Sequence, residues 1–308
     1  MSQKAKIAVV GSINMDLVAT VTRSPVPGET ISGQHFAMIS GGKGANQAVA
    51  AARLGAEVTM IGCVGDDLFG VQLTAQLRQE GIDTQYIRTA AGQSTGVALI
   101  QVQQEGGNSI VVVAGANGEV TPEQVEEAEA AIRSADVLLL QLEIPLPAVQ
   151  KAAEIARRHG VRTILNPAPA VPLPEELLQS VDLLTPNETE AAILTTGEAR
   201  FDGGITDLIG ALKRMAGGTD VLITHGELGA FYQIGDTAGH QPAYNVKAVD
   251  TTAAGDCFNA GIAVRWGEGA ELPQAFQFAS KAAALAVTRF GAQTSLPVRT
   301  EVERFTGE

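Results

Sequence analysis

The chain has 308 residues, 45% of them hydrophobic and 18% charged, which is ample for a sizeable core and argues against a disordered chain. With 21 basic against 34 acidic residues the formal charge is −13, which sets the surface as a whole against nonspecific binding of nucleic acid or anionic membrane. Two cysteines, Cys63 and Cys257, are too few for a disulfide scaffold and lie in no Cys-x-x-Cys or Cys/His cluster, so a reducing cytoplasm is the expected setting.

The start, Met1-Ser2-Gln3-Lys4-Ala5-Lys6, runs into an apolar strand without a signal-peptide h-region, and no later stretch has the character of a membrane span. Residues 7–10 are all apolar and predict a strand that ends at Gly11, followed by polar Ser12, Asn14 and Asp16. After Pro25 and Pro27-Gly28, residues 30–39 read as extended, and a second extended pair, 96–102 and 109–113, flanks Glu105-Gly106-Gly107-Asn108. These pieces, 16–39 and 96–113, are expected to form a small antiparallel sheet apart from the main one. Between them the pattern predicts a helix over 45–54, a strand over 58–61 and a helix over 69–80. An acidic helix after Thr121-Pro122 leads to a strand over 137–140, a helix over 148–159 and a strand over 162–165. The alternation continues through 177–178, 181–184, 188–194, 208–215, 221–224 and 256–266, with a buried helix over 272–287. Strands alternating with helices in this way favour an α/β fold built on a mostly parallel sheet flanked by helices.

Several polar sites each carry two readings. Gly41-Gly42-Lys43-Gly44-Ala45-Asn46 opens a helix and is either a plain glycine-rich loop or a place where backbone amides, Lys43 and Asn46 meet an oxygen-rich ligand. The Walker spacing is absent from it, so a P-loop is excluded. Asn14 and Asp16 are either an Asx-turn or ligands for sugar hydroxyls, and Glu143 near another strand end raises the same choice. In Pro186-Asn187-Glu188-Thr189-Glu190, Asn187 and Glu190 make a capping-box pattern, or else oxygen ligands that organise Mg²⁺ beside phosphates. Asp250-Thr251-Thr252-Ala253-Ala254-Gly255-Asp256 puts small residues ahead of a helix, where free amides suit an anion. Asp256 is then a cap, or a carboxylate that accepts the proton of an attacking hydroxyl. His35, His159, His225 and His240 have no metal-ligand spacing.

Taken in order, Gly11-Ser12-Ile13-Asn14-Met15-Asp16, Gly41-Gly42-Lys43-Gly44-Ala45-Asn46, Asn166-Pro167-Ala168-Pro169, Thr185-Pro186-Asn187-Glu188 and Asp250 to Asp256 resemble the motifs of the ribokinase-like carbohydrate kinases over essentially the whole chain. The resemblance implies one kinase domain over 1–308, with 16–39 and 96–113 as a discontinuous β lid that pairs across a homodimer. It implies transfer of phosphate from ATP to the primary 5-hydroxyl of D-ribose, Asp256 being the base and the amides of Ala253, Ala254 and Gly255 an anion hole. By the same resemblance Asn14, Asp16, Gly42, Lys43, Asn46 and Glu143 contact the sugar. Asn187 and Glu190 organise Mg²⁺, while Thr224, Gly226, Gly229 and Ser280 meet the nucleotide. Asp250, Thr252, Ala286, Arg289, Gly291 and Ser295 match positions that surround K⁺. His225, Ser280 and Cys257 depart from the family's commoner residues. A kinase for deoxyribose or fructose is the neighbouring expectation, and a sugar- or nucleotide-binding regulator without turnover is the one from another class.

Overall fold

Ile7, Ala8, Val9 and Val10 leave a strand no polar face for water, and the structure accordingly buries them from both sides: Ile7 and Val9 enter one apolar core, Ala8 and Val10 the other. The computed structural model describes residues 4–103 and 107–307, so residues 104–106 of the expected turn at 105–108 lie outside the described residues. The chain runs β1 (Lys6–Val10), β2 (Asn14–Val21), β3 (His35–Gly41), α1 (Lys43–Arg53), β4 (Glu57–Gly65), α2 (Leu68–Gln79), β5 (Asp83–Ala90), β6 (Gly96–Gln103) and β7 (Asn108–Val113). There follow α3 (Pro122–Glu127), α4 (Glu129–Ser134), β8 (Val137–Leu140), α5 (Leu146–His159), β9 (Arg162–Leu165), α6 (Glu175–Leu178), β10 (Leu183–Leu184), α7 (Glu188–Thr196) and α8 (Ile205–Met215). The last part holds β11 (Asp220–Thr224), β12 (Ala230–Ile234), β13 (Thr237–Gln241), α9 (Ala254–Gly267), α10 (Leu272–Ala286) and α11 (Arg299–Arg304).

The main sheet has nine strands in the order β13-β12-β11-β10-β9-β8-β1-β4-β5. Pairing is parallel from β5 across to β11 and antiparallel only in the β11-β12-β13 meander. β1 lies between β4 and β8, so the chain fills one side of β1 and then the other. Ligands of open α/β sheets gather beyond the carboxyl ends of the strands at such a reversal. Residues 11–13, which follow β1, and Gln141, which follows β8, are therefore neighbours across it.

The second sheet has the order β3-β2-β6-β7. It is mixed, which corrects the expectation of an antiparallel sheet: β2 is antiparallel to β3, but parallel to β6 from Asn14 opposite Gly96 onward. Both β2 and β6 set out from chain that has just left a parallel strand of the main sheet, so they run outward in the same direction. β3 begins at His35, not Thr30, and the acidic helix breaks at Ala128 into α3 and α4. β5 and the β12–β13 hairpin escape the sequence pattern. β5 is an edge strand whose Asp83, Gln85 and Arg88 interrupt the apolar run.

Candidate active site

α1 begins against the chain that leaves β1. The Ala45 N–H donates to the Ser12 carbonyl at 2.9 Å and the Gly44 N–H to Ser12 Oγ at 3.3 Å. Two glycines are required by this approach for different reasons. Gly42 has φ 88°, a left-handed backbone that side chains resist, and a Cβ on it would stand 2.7 Å from Asn14 N. Gly44 is helical, but its Cβ would stand 2.6 Å from Ser12 N. The glycine-rich segment is thus a packing device that carries Lys43 and Asn46 to the carboxyl edge of β1.

Asn14 and Asp16 lie in β2 and not in an Asx-turn. Asn14 Oδ1 accepts from Asn117 Nδ2 at 2.6 Å, which turns the Asn14 amide nitrogen to the other side. Glu143 follows β8 and accepts from Ser12 Oγ at 2.5 Å and from the Lys43 N–H at 3.1 Å through Oε2. Asp256 lies in the first turn of α9 and is buried. Its Oδ2 accepts from Asn46 Nδ2 at 2.9 Å, and its Oδ1 from Gln47 Nε2 at 3.1 Å. Asn46 Oδ1 is buried without a hydrogen-bond partner among the described residues, an acceptor suited to a ligand's hydroxyl.

The charges of these groups act on one another. The Asp16 carboxyl is pushed up to about 7, first by burial and then by Glu143 and Asp256, with Lys43 opposing. Burial also pushes Asp256 up, against the pull of Lys43, Asn46 and Gln47, while Glu143 adds to the rise. For Lys43 burial works downward, but Asp256, Glu143, Glu190 and Asp16 together outweigh it and hold the ammonium above its ordinary range. The site is therefore an acidic, partly dry cluster centred on one ammonium, with several acceptors for the hydroxyls of a neutral polyol.

The two residues before Asp256 line a second space. A cavity of about 550 Å³ is lined by Thr224, Gly226, Gly229, Ser280, Ala254 and Gly255 among others. Four residues expected at a nucleotide thus share one wall system with the loop ahead of α9. Ala253 has φ 59°, and among the described residues it is the non-glycine with positive φ; this turns the chain into the helix. The Ala254 N–H is directed to the Thr251 carbonyl at 3.2 Å, whereas a Cβ on Gly255 would meet nothing within 4 Å. His225 lies edge-on to Phe231 at 6.5 Å beside this cavity.

Asn187 and Glu190 form the capping box: the Asn187 N–H donates to Glu190 Oε2 at 2.9 Å and the Glu190 N–H to Asn187 Oδ1 at 2.8 Å. Burial raises the Glu190 carboxyl, with the Asn187 N–H and Lys43 opposing. A short parallel bridge joins Asn187 to Thr224, so this helix start reaches the end of β11. Among the described residues there is no group of three or more His, Cys, Asp or Glu side chains able to hold a metal. A divalent ion here would depend on phosphate and water oxygens, the usual habit of Mg²⁺.

Segments 249–252 and 286–295 lie side by side. Asp250 Oδ2 accepts from the Gly291 N–H at 2.9 Å, Oδ1 accepts from Thr252 Oγ1 at 2.6 Å, and the Val249 N–H donates to the Val287 carbonyl at 2.7 Å. Burial raises the Asp250 carboxyl, but the Thr252 and Gly291 donors prevail and hold it below its ordinary value. Ser295 is buried and donates to the Ala292 carbonyl at 2.8 Å. The Arg289 guanidinium is turned to Glu301, at 2.6 Å, so only its carbonyl is available to a cation. Carboxylate and carbonyl oxygens of this kind suit a hard cation.

Sequence reasoning overlooked Gln47, Asn117 and Gln141, and gave no role to Ser12 or Asn166. Ser12 and Asn166 stand inside the quoted motifs, and Gln47 directly follows one. A model of the pfkB family of carbohydrate kinases matches residues 4–299. The chain is similar to the ribokinase of Haemophilus influenzae, 45% identical over 304 residues covering 97% of each. It is 38% identical to a deoxyribokinase of Salmonella typhi, over 97% of each. Among solved structures, Arabidopsis thaliana ribokinase complexed with ribose and ATP aligns with a TM-score of 0.90 over 99% of this chain and 100% of that one, at 35% identity.

Proposed function

The chain belongs to the pfkB family of carbohydrate kinases and is an ATP-dependent sugar kinase; from that premise we propose that it phosphorylates D-ribose at the primary 5-hydroxyl, yielding ribose 5-phosphate and ADP. One observation carries the reading: Asp256 bonds Asn46 in the polyol-like cluster while the two residues before it line the 550 Å³ cavity. A sugar hydroxyl and a terminal phosphate can meet only where such spaces adjoin.

Asp256 takes the hydroxyl proton as the oxygen attacks the γ-phosphorus and ADP leaves. Burial raises the proton affinity of its carboxylate above that of one in water, while Lys43 and the Asn46 and Gln47 amides oppose that rise. Asn14, Asp16, Gly42, Lys43, Asn46 and Glu143 fix the sugar. The first turn of α9, with the amides of Ala253, Ala254 and Gly255, provides positive potential for charge on the transferring group. Thr224, Gly226, Gly229 and Ser280 bind the nucleotide. Asn187 and Glu190 would hold Mg²⁺, which would offset phosphate charge. Asp250, Thr252, Ala286, Arg289, Gly291 and Ser295 would hold K⁺, which would brace the 250–256 loop.

Residues 1–308 form one kinase domain in this reading, and the small sheet, 16–39 with 96–113, is a lid over the sugar and the contact of a homodimer. A need for ATP and two free thiols suit a cytoplasmic setting; separately, among the described residues no helix is long and apolar enough to cross a membrane. The deoxyribokinase relative makes deoxyribose the second sugar to test. The purified protein with ATP and Mg²⁺ is to be offered ribose, deoxyribose and fructose, alongside Asp256→Asn. Ribose is expected to give a 5-phosphate. Asp256→Asn is expected to bind sugar by calorimetry yet lose roughly 10²–10⁴-fold in kcat. Faster turnover of another sugar replaces the substrate; stoichiometric binding without ADP makes the protein a regulator; near-parental turnover of Asp256→Asn removes the base.

A further inference from the structure

We propose that Gln47 is a positioning residue for the Asp256 carboxylate, itself held by Gln141, an inference that rests on Asp256 being the base. Gln47 and Gln141 are both fully buried. Gln47 Nε2 lies 3.1 Å from Asp256 Oδ1 and 3.3 Å from Asn166 Oδ1, and Gln47 Oε1 accepts from Gln141 Nε2 at 2.6 Å. A carboxylate only accepts, and the Gln141 amide nitrogen only donates, so neither end of the Gln47 amide can be exchanged. Asn46 holds the other carboxylate oxygen at 2.9 Å. One donor on each oxygen fixes the plane of the carboxyl group and leaves its remaining lone pairs for the reacting hydroxyl.

The support behind Gln47 follows from the sheet. Gln141, Asn166 and Thr185 are the residues immediately after β8, β9 and β10, adjacent parallel strands whose carboxyl ends stand side by side. Asn166 Nδ2 donates to the Thr185 carbonyl at 2.9 Å, Thr185 Oγ1 to Asn259 Oδ1 at 2.6 Å, and Asn259 Nδ2 to the Gly255 carbonyl at 2.9 Å. The chain of bonds thus returns to the residue before Asp256. Asn46 can touch the sugar directly; Gln47 acts only through the carboxylate.

The groups that face Asp256 are Lys43 beside Asn46 and Gln47 on α1, Glu143 after β8, Asp16 on β2, Glu190 on α7 and Cys257 on its own helix. Removing the Gln47 donor leaves the negative charge of that carboxylate with one amide instead of two, so its proton affinity rises. The test is kcat against pH for Gln47→Met in the full chain, at saturating sugar and ATP, where bound sugar engages Asp16. The acid limb is expected to move up by about one pH unit, the size of one charge-assisted hydrogen bond, with kcat near neutrality down about tenfold and both KM values within about threefold. An acid limb left where the parent has it, whether or not kcat falls, overturns the proposal. If Gln47→Met does not fold, Gln141→Met carries the same measurement with a smaller upward move, and an unmoved limb there overturns it too. Asp256→Asn in parallel separates the two readings: if it turns over normally the base assignment fails, and if it is slow while the Gln47→Met limb stays put, only the positioning role fails.

Discussion

Asp16 is a carboxyl group placed where its charge is unwelcome until a ligand arrives. Burial and the carboxylates of Glu143 and Asp256 lift it from its ordinary 3.8 to about 7. A carboxyl raised in the folded state contributes stability that is complete below its unfolded value and is lost as pH rises through the folded one. The free protein should therefore lose stability between about pH 4 and pH 7, by roughly 2–3 kcal/mol from this group once its partial exposure is allowed for. Asp16→Asn should remove that part of the slope and be the more stable protein at about pH 8. Urea unfolding of both proteins across that range checks it; identical slopes would mean that Asp16 is ionised at an ordinary pH. Asp16 was legible as a candidate from its type and its place after a strand. Its lifted pKa was not, since Glu143 and Asp256 reach it only through the fold.

At the scale of elements, the start of α1 was nearly legible: the expected helix begins two residues inside the observed one. What its glycines are for was not. In an exposed helix Gly→Ala gains about 1 kcal/mol from propensity. At Gly44 the new methyl would meet Ser12 N at 2.6 Å and Gly11 C at 2.7 Å, both backbone, and overpacking of this kind costs about 1–3 kcal/mol. Gly44→Ala should thus be destabilising in spite of the better helix former, and it should raise the sugar KM because α1 carries both Lys43 and Asn46. Chemical denaturation with parallel kinetics checks this, and a gain in stability would show that α1 has room to move. The same limit on local reading explains β2. Asn14 and Asp16 look like turn formers, yet β3 on one side and β6 on the other supply the pairing that makes the segment a strand.

On the scale of the whole molecule, the small sheet has two unlike faces. Alternation along its strands puts Asp16, Ala98 and Val112 on one face, and Met38, Leu17, Leu99 and Val111 across the other. Met38, Leu99 and Val111 remain 54%, 46% and 59% exposed, an apolar row of the kind that marks an association surface. The proposed homodimer would cover it. Sedimentation should give twice the 31.9 kDa of the chain, and Leu99→Glu should sediment as a monomer with an unchanged far-ultraviolet spectrum; a parent protein that runs as a monomer at assay concentration ends the dimer reading. The sequence by itself determined the alternation of strands and helices, the mostly parallel sheet and the motifs that carry most of the candidate site, because these depend on local periodicity and on residue type at short spacing. Only the tertiary structure decided that the small sheet is mixed and that Asp256 bonds Asn46 and Gln47 while the two residues before it line a separate cavity. It alone decided, too, that Gln47, Gln141 and Asn166 stand behind that carboxylate. Those facts depend on which strand ends lie side by side, and strand order is set by long-range packing that no short stretch of chain encodes.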